Sequence, residues 1–455
     1  MRYCSMNAEE IIQTIKNSNT EKIRFAVADI DGVLRGKIIN KEKFFKGIDN
    51  GIGFCNVIFG WDCNDACYDN GSISGWHTGY PDAFATIDLN TFRTIPWYGG
   101  TPFFLADFSE DKNVQAACPR TLLKKIKQQC IELGFTPLFA KEFEWFNFRE
   151  TPETLYQKQF ENLVPLSRGM FGYSILRTSE HQDFYNDLFH LLKQFDVPLE
   201  GLHTETGDGV YEAAIEFCDV LEAADRAVLF KTGVKEIAYR HGLVATFMAK
   251  WNVNLPGCSG HIHQNLFDTK GNNLFFDAKD KNRISNLLKH YIAGQLFCLP
   301  YIMPMFAPTT NSYKRYVEGA WAATSVSWGI ENRTTALRVI NHANESLRLE
   351  TRVPGADANA YLSMAASLAA GLYGIKHQLP LSIDATVGSA YNNKNLTALP
   401  KTLEEATALM KDSAVAKELF GDAFTDHFIR TRAWECKQFD KGIANWELKR
   451  YFEII

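Results

Sequence analysis

The segment from Asn311 to Arg352 constrains this chain more than any other. Arg315, Arg333, Arg338, Arg348 and Arg352 fall inside it, with Glu350 among them, in stretches otherwise rich in Ala, Thr, Val and Leu. A solvated charge run lacks such apolar company. The closing RLETR alternates: Arg348, Glu350 and Arg352 share one face of a strand, and Leu349 and Thr351 share the other. A strand with an Arg-Glu-Arg face and a half-apolar back fits the inner wall of a polar cavity. It fits a salt-bridged ladder on a solvent-facing sheet equally well, and the rest of the chain decides between them.

The 455 residues suit one large domain or two to three ordinary ones, and 46% hydrophobic residues supply a sizeable core. A formal net charge of -5 gives no basic footprint for nucleic acid and no polybasic membrane patch. The opening MRYCSMNAEEIIQTIKNSN is too polar for a signal peptide. The most apolar run, Ala360 to Ile375, is short, is interrupted by Ser363, Ser367 and Gly371, and reads as a buried helix. Ten scattered cysteines without paired zinc spacing fit reduced thiols in the cytoplasm.

A short helix is expected over about Asn7–Ser18. IRFAVADIDGVLRGKII alternates, turns at Asp31-Gly32 and returns as a second strand. Its GxxxGK fragment is one residue short of a phosphate loop and has no Ser or Thr after the lysine. Residues 51–79, rich in Gly, Asp, Asn and Trp, read as a long functional or interface loop. PDAFATIDLNTFRTIPW returns to strand character, so residues 20–108 read as a small β-rich domain. From Pro119 a helix runs to Gly134, and another helix is expected within 174–197.

Three further stretches carry chemistry. In PLFAKEFEWFNF, Glu142 and Glu144 are two apart and share one face of an otherwise apolar strand, where carboxylates are costly unless paired or metal-bound. The alternative is an edge strand with its acidic side in water. Glu205 and Glu212 flank a Gly-Asp-Gly turn that lets two carboxylates converge, or else simply sits in solvent. His261 and His263, again two apart, follow a Gly-rich loop. Five carboxylates (Glu142, Glu144, Glu205, Glu212, Glu350) and the His261 imidazole cannot share a pocket as bare anions, because like charges raise one another's pKa. Divalent cations resolve this, and oxygen-rich sets favour Mg²⁺ or Mn²⁺. With several arginines added, the set matches phosphoryl transfer from ATP. An acidic metal hydrolase fits nearly as well.

Six blocks, in the same order, resemble the glutamine synthetase family: EFEWF at 142–146, HTETGDGVYE at 203–212, GCSGHIHQNL at 257–266, NSYKRYVEGAW at 311–321, NRTTALR at 332–338 and RLETRVPGADANAYL at 348–362. The resemblance implies an α+β fold, with an N-terminal β-grasp domain over 20–108 and a glutamine synthetase-type α/β catalytic domain over 112–455. It implies a homo-oligomeric ring, usually double, with active sites between neighbouring subunits. It implies that Glu144, Glu205 and Glu212 hold a first metal and that Glu142, His261 and Glu350 hold a second. Arg315 matches the arginine that grips the α-carboxylate of glutamate, and Arg352 matches one near its γ-carboxyl group. Arg333 and Arg338 match those on the transferring phosphate. His263 and Arg348 match positions near the nucleotide, and Phe217 flanks its base. The implied reaction makes γ-glutamyl phosphate from glutamate and ATP, which an amine then converts to an amide.

The departures concern the nitrogen substrate. Ammonia-using members carry a glutamate on a flap, six residues after the arginine matching Arg315; here that position is Trp321. The compact FDGSS-like motif with its ammonium-binding aspartate is replaced by GWDCNDACYDNGSISGW, leaving Asp62, Asp65 and Asp69 as candidates for an amine-facing carboxylate. The usual Asn-Gly pair before the HxH block is Pro256-Gly257, and a lysine common ahead of the metal glutamate is Glu345. DIDGVLRGK, GCSGHIHQ, the GAW ending and ADANAY together resemble the γ-glutamylpolyamine synthetases and related amine ligases. That resemblance implies γ-glutamylation of an organic amine, with polyamines one class. The other readings are a glutamine synthetase using ammonia, and a catalytically silent structural relative. Thr397 stands where some members carry a modifiable tyrosine, which argues against nucleotidylation there.

Overall fold

The computed structural model describes residues 6–343 and 346–455. Its described strands form two sheets. The smaller has the order β2-β1-β6-β4-β3, with β5 paired to β6. Its strands are β1 (Lys22–Ala28), β2 (Leu34–Asn40), β3 (Ile52–Cys55), β4 (Asp82–Ile87), β5 (Arg93–Ile95) and β6 (Thr101–Asp107). The hairpin read from IRFAVADIDGVLRGKII is β1–β2, antiparallel from Lys22↔Asn40 to Ala28↔Leu34. β1 runs parallel to β6.

Period-two alternation assigns each face of the small sheet its own core. Ile23, Phe25 and Val27 of β1 and Phe104 and Ala106 of β6 pack with helices Ala8–Asn17 and Lys41–Asn50. Ala26 and Ala28, with Phe103 and Leu105, join the core of the larger body instead.

The larger sheet has the order β13-β14-β15-β12-β7-β9-β8, with β10 and β11 also on β7. Its strands are β7 (Thr136–Phe148), β8 (Leu199–Thr204), β9 (Val210–Ile215), β10 (Cys218–Asp219), β11 (Val244–Thr246), β12 (Ile262–Phe267), β13 (Trp328–Ile330), β14 (Leu337–Ile340) and β15 (Arg348–Thr351). β7 is therefore central, and the edge-strand reading of Glu142 and Glu144 falls. One face of β7 packs on the long helix Val220–Arg240: the Phe143 and Phe230 rings lie parallel, 5.5 Å apart. Glu142 and Glu144 point from the other face.

Behind the sheet, helix Ala360–Lys376 lies against helix Asn286–Ile302, and a Cβ on Gly294 would sit 2.2 Å from the Ala370 carbonyl oxygen. Glycine is required at that crossing by closeness of backbones rather than by dihedral angle. The single helix expected within 174–197 is two, Ile175–Glu180 and Gln182–Gln194, broken at His181. No helix among the described residues is long and apolar enough to cross a membrane. Glu345 lies outside the described residues.

Candidate active site

The open face of the large sheet carries two rows of polar side chains, each set by strand register. His203 on β8 lies opposite Glu212 on β9, which lies opposite Glu144 on β7. Arg338 on β14 lies opposite Glu350 on β15, which lies opposite His263 on β12. Glu142 bridges the rows: it accepts from His261 Nδ1 at 2.9 Å and sits 3.3 Å from His263 Nε2. Glu350 adds a second contact, 3.3 Å from His261 Nδ1.

The loops between strands are shaped for this convergence. Glu205 follows β8, and the turn to β9 uses Gly207 and Gly209, with Gly209 at φ +73° and a would-be Cβ 2.7 Å from Asn147 O. The Pro256-Gly257-Cys258-Ser259 segment presses on the site from the other side. Ser259 N donates to Glu144 Oε2 at 2.6 Å, and a Cβ on Gly257 would lie 2.5 Å from Arg315 Cγ.

Electrostatics divide the carboxylates. Burial pushes Glu144 up to about 7, against opposing contributions from the Ser259 N–H and Arg315. Burial, then Glu142 and Glu144, pushes Glu212 up to about 11. Burial works to raise Glu350, but Arg352 and then His261 and His263 together outweigh it and hold the carboxyl at about 2. Glu142 is lowered because hydrogen bonds from His261 and His263 outweigh burial. His261 itself is pushed down to about 4 by burial and then Arg352, which leaves a neutral imidazole fit to be a ligand.

Two sets of ligand atoms each gather within 4.8 Å: Glu142, His263 and Glu350 in one, and His203, Glu205 and Glu212 in the other. Buried Glu205 Oε2 and His261 Nε2 have no hydrogen-bond partner. Glu144 and Glu212, pushed upward by burial first and by neighbouring carboxylates after it, beside donor atoms with nothing to bind, fit divalent cations.

The arginines are spread along one edge. Arg338 donates to Glu350 Oε2 at 3.0 Å and to Glu331 Oε2 at 2.7 Å. Arg352 is paired with Glu350 and donates to the Arg333 carbonyl at 3.2 Å. Arg315, 2% exposed, donates to Ser259 Oγ at 3.2 Å and to the Val353 carbonyl, with a buried, unpartnered Nε. Arg333 is exposed and lines an open cleft with Trp321 and Glu331. His263, Arg348 and Phe217 line one cavity of about 390 Å³ whose walls include Phe139, Ala214 and Phe267.

Two residues of this surface escaped the sequence reading. His203 stands 3.8 Å from Glu205 and 3.9 Å from Glu212, and the Tyr173 ring stacks on it at 4.4 Å. Of the three loop aspartates, Asp62 accepts from Trp434 Nε1 at 2.8 Å, Asp65 accepts from Arg35 at 2.7 Å, and Asp69 pairs with Lys437. Within this chain they serve as anchors of the loop.

A family model described as the glutamine synthetase catalytic domain matches residues 116–451. "Type-1 glutamine synthetase 2" of Dictyostelium discoideum is 52% identical, over 99% of this chain and 87% of its own length. A "Glutamate--isopropylamine ligase" of a Pseudomonas species is 36% identical, over 99% of both chains. A solved structure titled "GmaS/ADP complex-Conformation 1" superposes with a TM-score of 0.84 at 24% identity, covering 97% of this chain and 99% of its own, a likeness of fold. Together with the two rows of ligands and arginines, these findings establish that the chain belongs to the glutamine synthetase family, as an ATP-dependent carbon–nitrogen ligase that works with divalent cations.

Proposed function

We propose that this enzyme joins the γ-carboxyl group of glutamate to an organic amine in preference to ammonia, with alkylamines, hydroxyalkylamines and polyamines as the candidate acceptors. The observation that carries the reading is Trp321. It stands where ammonia-using members place a flap glutamate, is 61% exposed, and shares an open cleft with Arg333. Its backbone is at φ +58°, a conformation a bulky residue adopts at a cost of about 1–3 kcal/mol. An indole offers apolar contact and cation–π attraction to an alkylammonium but cannot take up a proton. The relative named for isopropylamine supports the same class.

In this reading Glu144, Glu205 and Glu212 hold one cation, with His203 beside them, and Glu142, His261 and Glu350 hold the other, with His263 beside them. When bound, the cations offset the carboxylates and withdraw charge from the transferring phosphoryl group. The chain's own residues do the rest. Glu350 orients Arg338 and Arg352 so that their remaining N–H groups meet the phosphate and the γ-carboxyl group. Arg333 supplies a further guanidinium from the cleft side. Arg315 holds the glutamate α-carboxylate, and the cavity of Phe217, His263 and Arg348 takes ATP. Residues 20–108 and 112–455 act as N-terminal and catalytic domains of a homo-oligomeric ring in the cytoplasm.

The test is phosphate release from ATP with Mg²⁺ and glutamate, against ammonia, putrescine, spermidine, ethanolamine and isopropylamine. Release with an organic amine and little with ammonia supports the proposal. The 52% identical relative named as a glutamine synthetase favours the second reading, in which ammonia is preferred. Release with ammonia above all the amines would establish that reading and remove the argument from Trp321.

A further inference from the structure

Between Arg315 and β13 the chain runs as an irregular flap that carries Trp321. Trp321 is exposed, yet the next two residues, Ala322 and Ala323, are buried. The chain passes from water to core at a backbone φ of +58°, which a bulky residue does not hold without outside help. The groups that hold it lie in a strap over residues 386–399, a stretch the proposed chemistry leaves without a role.

The strap is anchored at both ends. Asn332 Nδ2 donates to the Thr386 carbonyl at 2.9 Å and to the Gly388 carbonyl at 2.8 Å, and Ala390 N donates to Thr334 Oγ1 at 2.9 Å, so one end is tied to the loop of Arg333. Val326 N donates to the Thr397 carbonyl at 2.8 Å and Leu399 N to the Thr324 carbonyl at 3.0 Å, so the other end is tied to the root of the flap. Between these anchors Tyr391 Oη donates to the carbonyl of Ala322, one residue after Trp321, at 3.0 Å. Ala322 is buried, so without that donor its carbonyl is left away from water. A second contact, Lys394 to Glu318 at 3.8 Å, joins exposed side chains and contributes little.

The same hydroxyl is close to the substrate side. Burial pushes its pKa up, while the Arg352 and then the Arg315 guanidinium oppose the rise. One half-buried side chain thus touches the flap and lies in the field of the two arginines assigned to glutamate. We propose that Tyr391 is a positioning residue: its hydroxyl latches the flap at Ala322 and so keeps Trp321 over the reacting centre until the amine has attacked. The latch rests on the reading of residues 316–324 as a flap, and not on which amine is accepted. In that chemistry γ-glutamyl phosphate has two fates. Attack by the amine nitrogen at the acyl carbon expels phosphate and, with loss of a proton, leaves the amide. Attack by water expels the same phosphate and returns glutamate. A flap held closed excludes water and favours the first.

The test counts both products. Tyr391→Phe keeps the ring and removes only the hydroxyl. Wild type and variant are assayed as the assembled protein with ATP, Mg²⁺, glutamate and whichever of ammonia or the organic amines the wild type uses best, and phosphate and γ-glutamyl amide are measured in the same samples. In the variant, phosphate released per amide formed is expected to rise at least about fivefold, with a rise of similar size in KM for the acceptor. A variant with the wild-type ratio would overturn the proposal even if its overall rate were lower, because a merely structural role lowers both products together. Lys394→Gln, which cuts only the exposed pair with Glu318, is expected to keep the wild-type ratio. An equal rise in that variant would place the effect in the strap as a whole and remove it from the Tyr391 hydroxyl. A wild type that prefers ammonia would defeat Trp321 as the selector of organic amines, and the ratio in Tyr391→Phe would still decide the latch.

Discussion

At the scale of single residues, the site turns on which groups carry charge before any cation arrives. Glu144 is pushed up to about 7 and Glu212 to about 11, chiefly by burial, so at neutral pH the empty cluster holds protons that a cation must displace. Binding then releases protons, and affinity rises with pH. Mn²⁺ titrations at pH 6 and pH 8 are expected to give tighter binding at pH 8, by about tenfold from Glu144 alone and by more where the Glu212 proton is displaced as well. Glu144→Gln is expected to bind Mn²⁺ more weakly and with a shallower pH dependence. A variant with the wild-type slope would mean that Glu144 is not the titrating group. Trp321 makes a second prediction at this scale. Trp321→Glu supplies a carboxylate to an ammonium ion and removes an apolar contact from an alkylamine, so the ratio of kcat/KM for ammonia over isopropylamine should rise at least about tenfold. An unchanged ratio would show that selection resides elsewhere.

The sequence made six of the carboxylate and imidazole positions legible, because alternation alone puts Glu142 beside Glu144 and Glu350 between two arginines. His203 was not legible as a neighbour of Glu212. That proximity is a cross-strand register, His203↔Glu212, fixed by how the Gly207 and Gly209 turn closes. Tyr173 was further out of reach, since a loop residue stacks on His203 only once the segment before helix Ile175–Glu180 has folded back, with Tyr173 N donating to Thr204 O at 2.7 Å. For the three loop aspartates the acidity was visible in the sequence, but their partners on helix Asp422–Lys441 and strand β2 were not.

At the scale of elements, the small sheet is locked to the larger body by a buried charge cluster around Arg120 on helix Pro119–Glu132. Arg120 donates to Asp107 of β6 at 2.6 Å, to Asp88 at 2.9 Å, and through two nitrogens to Asp225 of helix Val220–Arg240. Lys124 adds a second cation 2.6 Å from Asp107. Burial opposes ionisation of Asp107, but Arg120 and then Lys124 outweigh it and hold the carboxyl at about 2 against an ordinary 3.8. The folded value is the lower one, so the contribution is fully present above the unfolded pKa and disappears as pH falls through about 2. Its size is about 2 kcal/mol. Asp107→Asn is therefore expected to lose about that much stability at pH 7, and the gap from wild type should narrow as the pH is taken toward 2. Denaturant unfolding at several pH values measures it, and a gap that stays constant with pH would place the cost in packing rather than charge. Sequence alternation sufficed for the β1–β2 hairpin, yet it gave no sign of this junction, because Asp88, Asp107, Arg120 and Asp225 meet only when both sheets are in place.

At the scale of the whole molecule, the loop over residues 60–80 bears on the proposed ring. Its base is fixed: Asp62 is bound to Trp434, Asp69 to Lys437, and Asn70 Nδ2 to the Arg430 carbonyl at 3.0 Å. A loop held this firmly is a platform, and it displays Trp76 at 78% exposure, braced edge-on by Tyr80 at 5.3 Å. A large aromatic side chain kept rigid in water gains nothing within its own chain, whereas indoles are among the commonest anchors of protein interfaces. In the proposed ring, where active sites lie between subunits, the same loop would face a neighbour. Trp76→Asp is then expected to do two things together. Sedimentation should show a smaller assembly at micromolar protein, and glutamate-dependent ATP turnover should fall at least about tenfold, because an anchor of this kind is worth about 2 kcal/mol or more. Smaller assemblies with full activity would mean that each chain carries a complete site. A full-sized assembly with full activity would remove the loop from the interface altogether. Only the joint loss ties the rigid loop, the ring and the chemistry to one another.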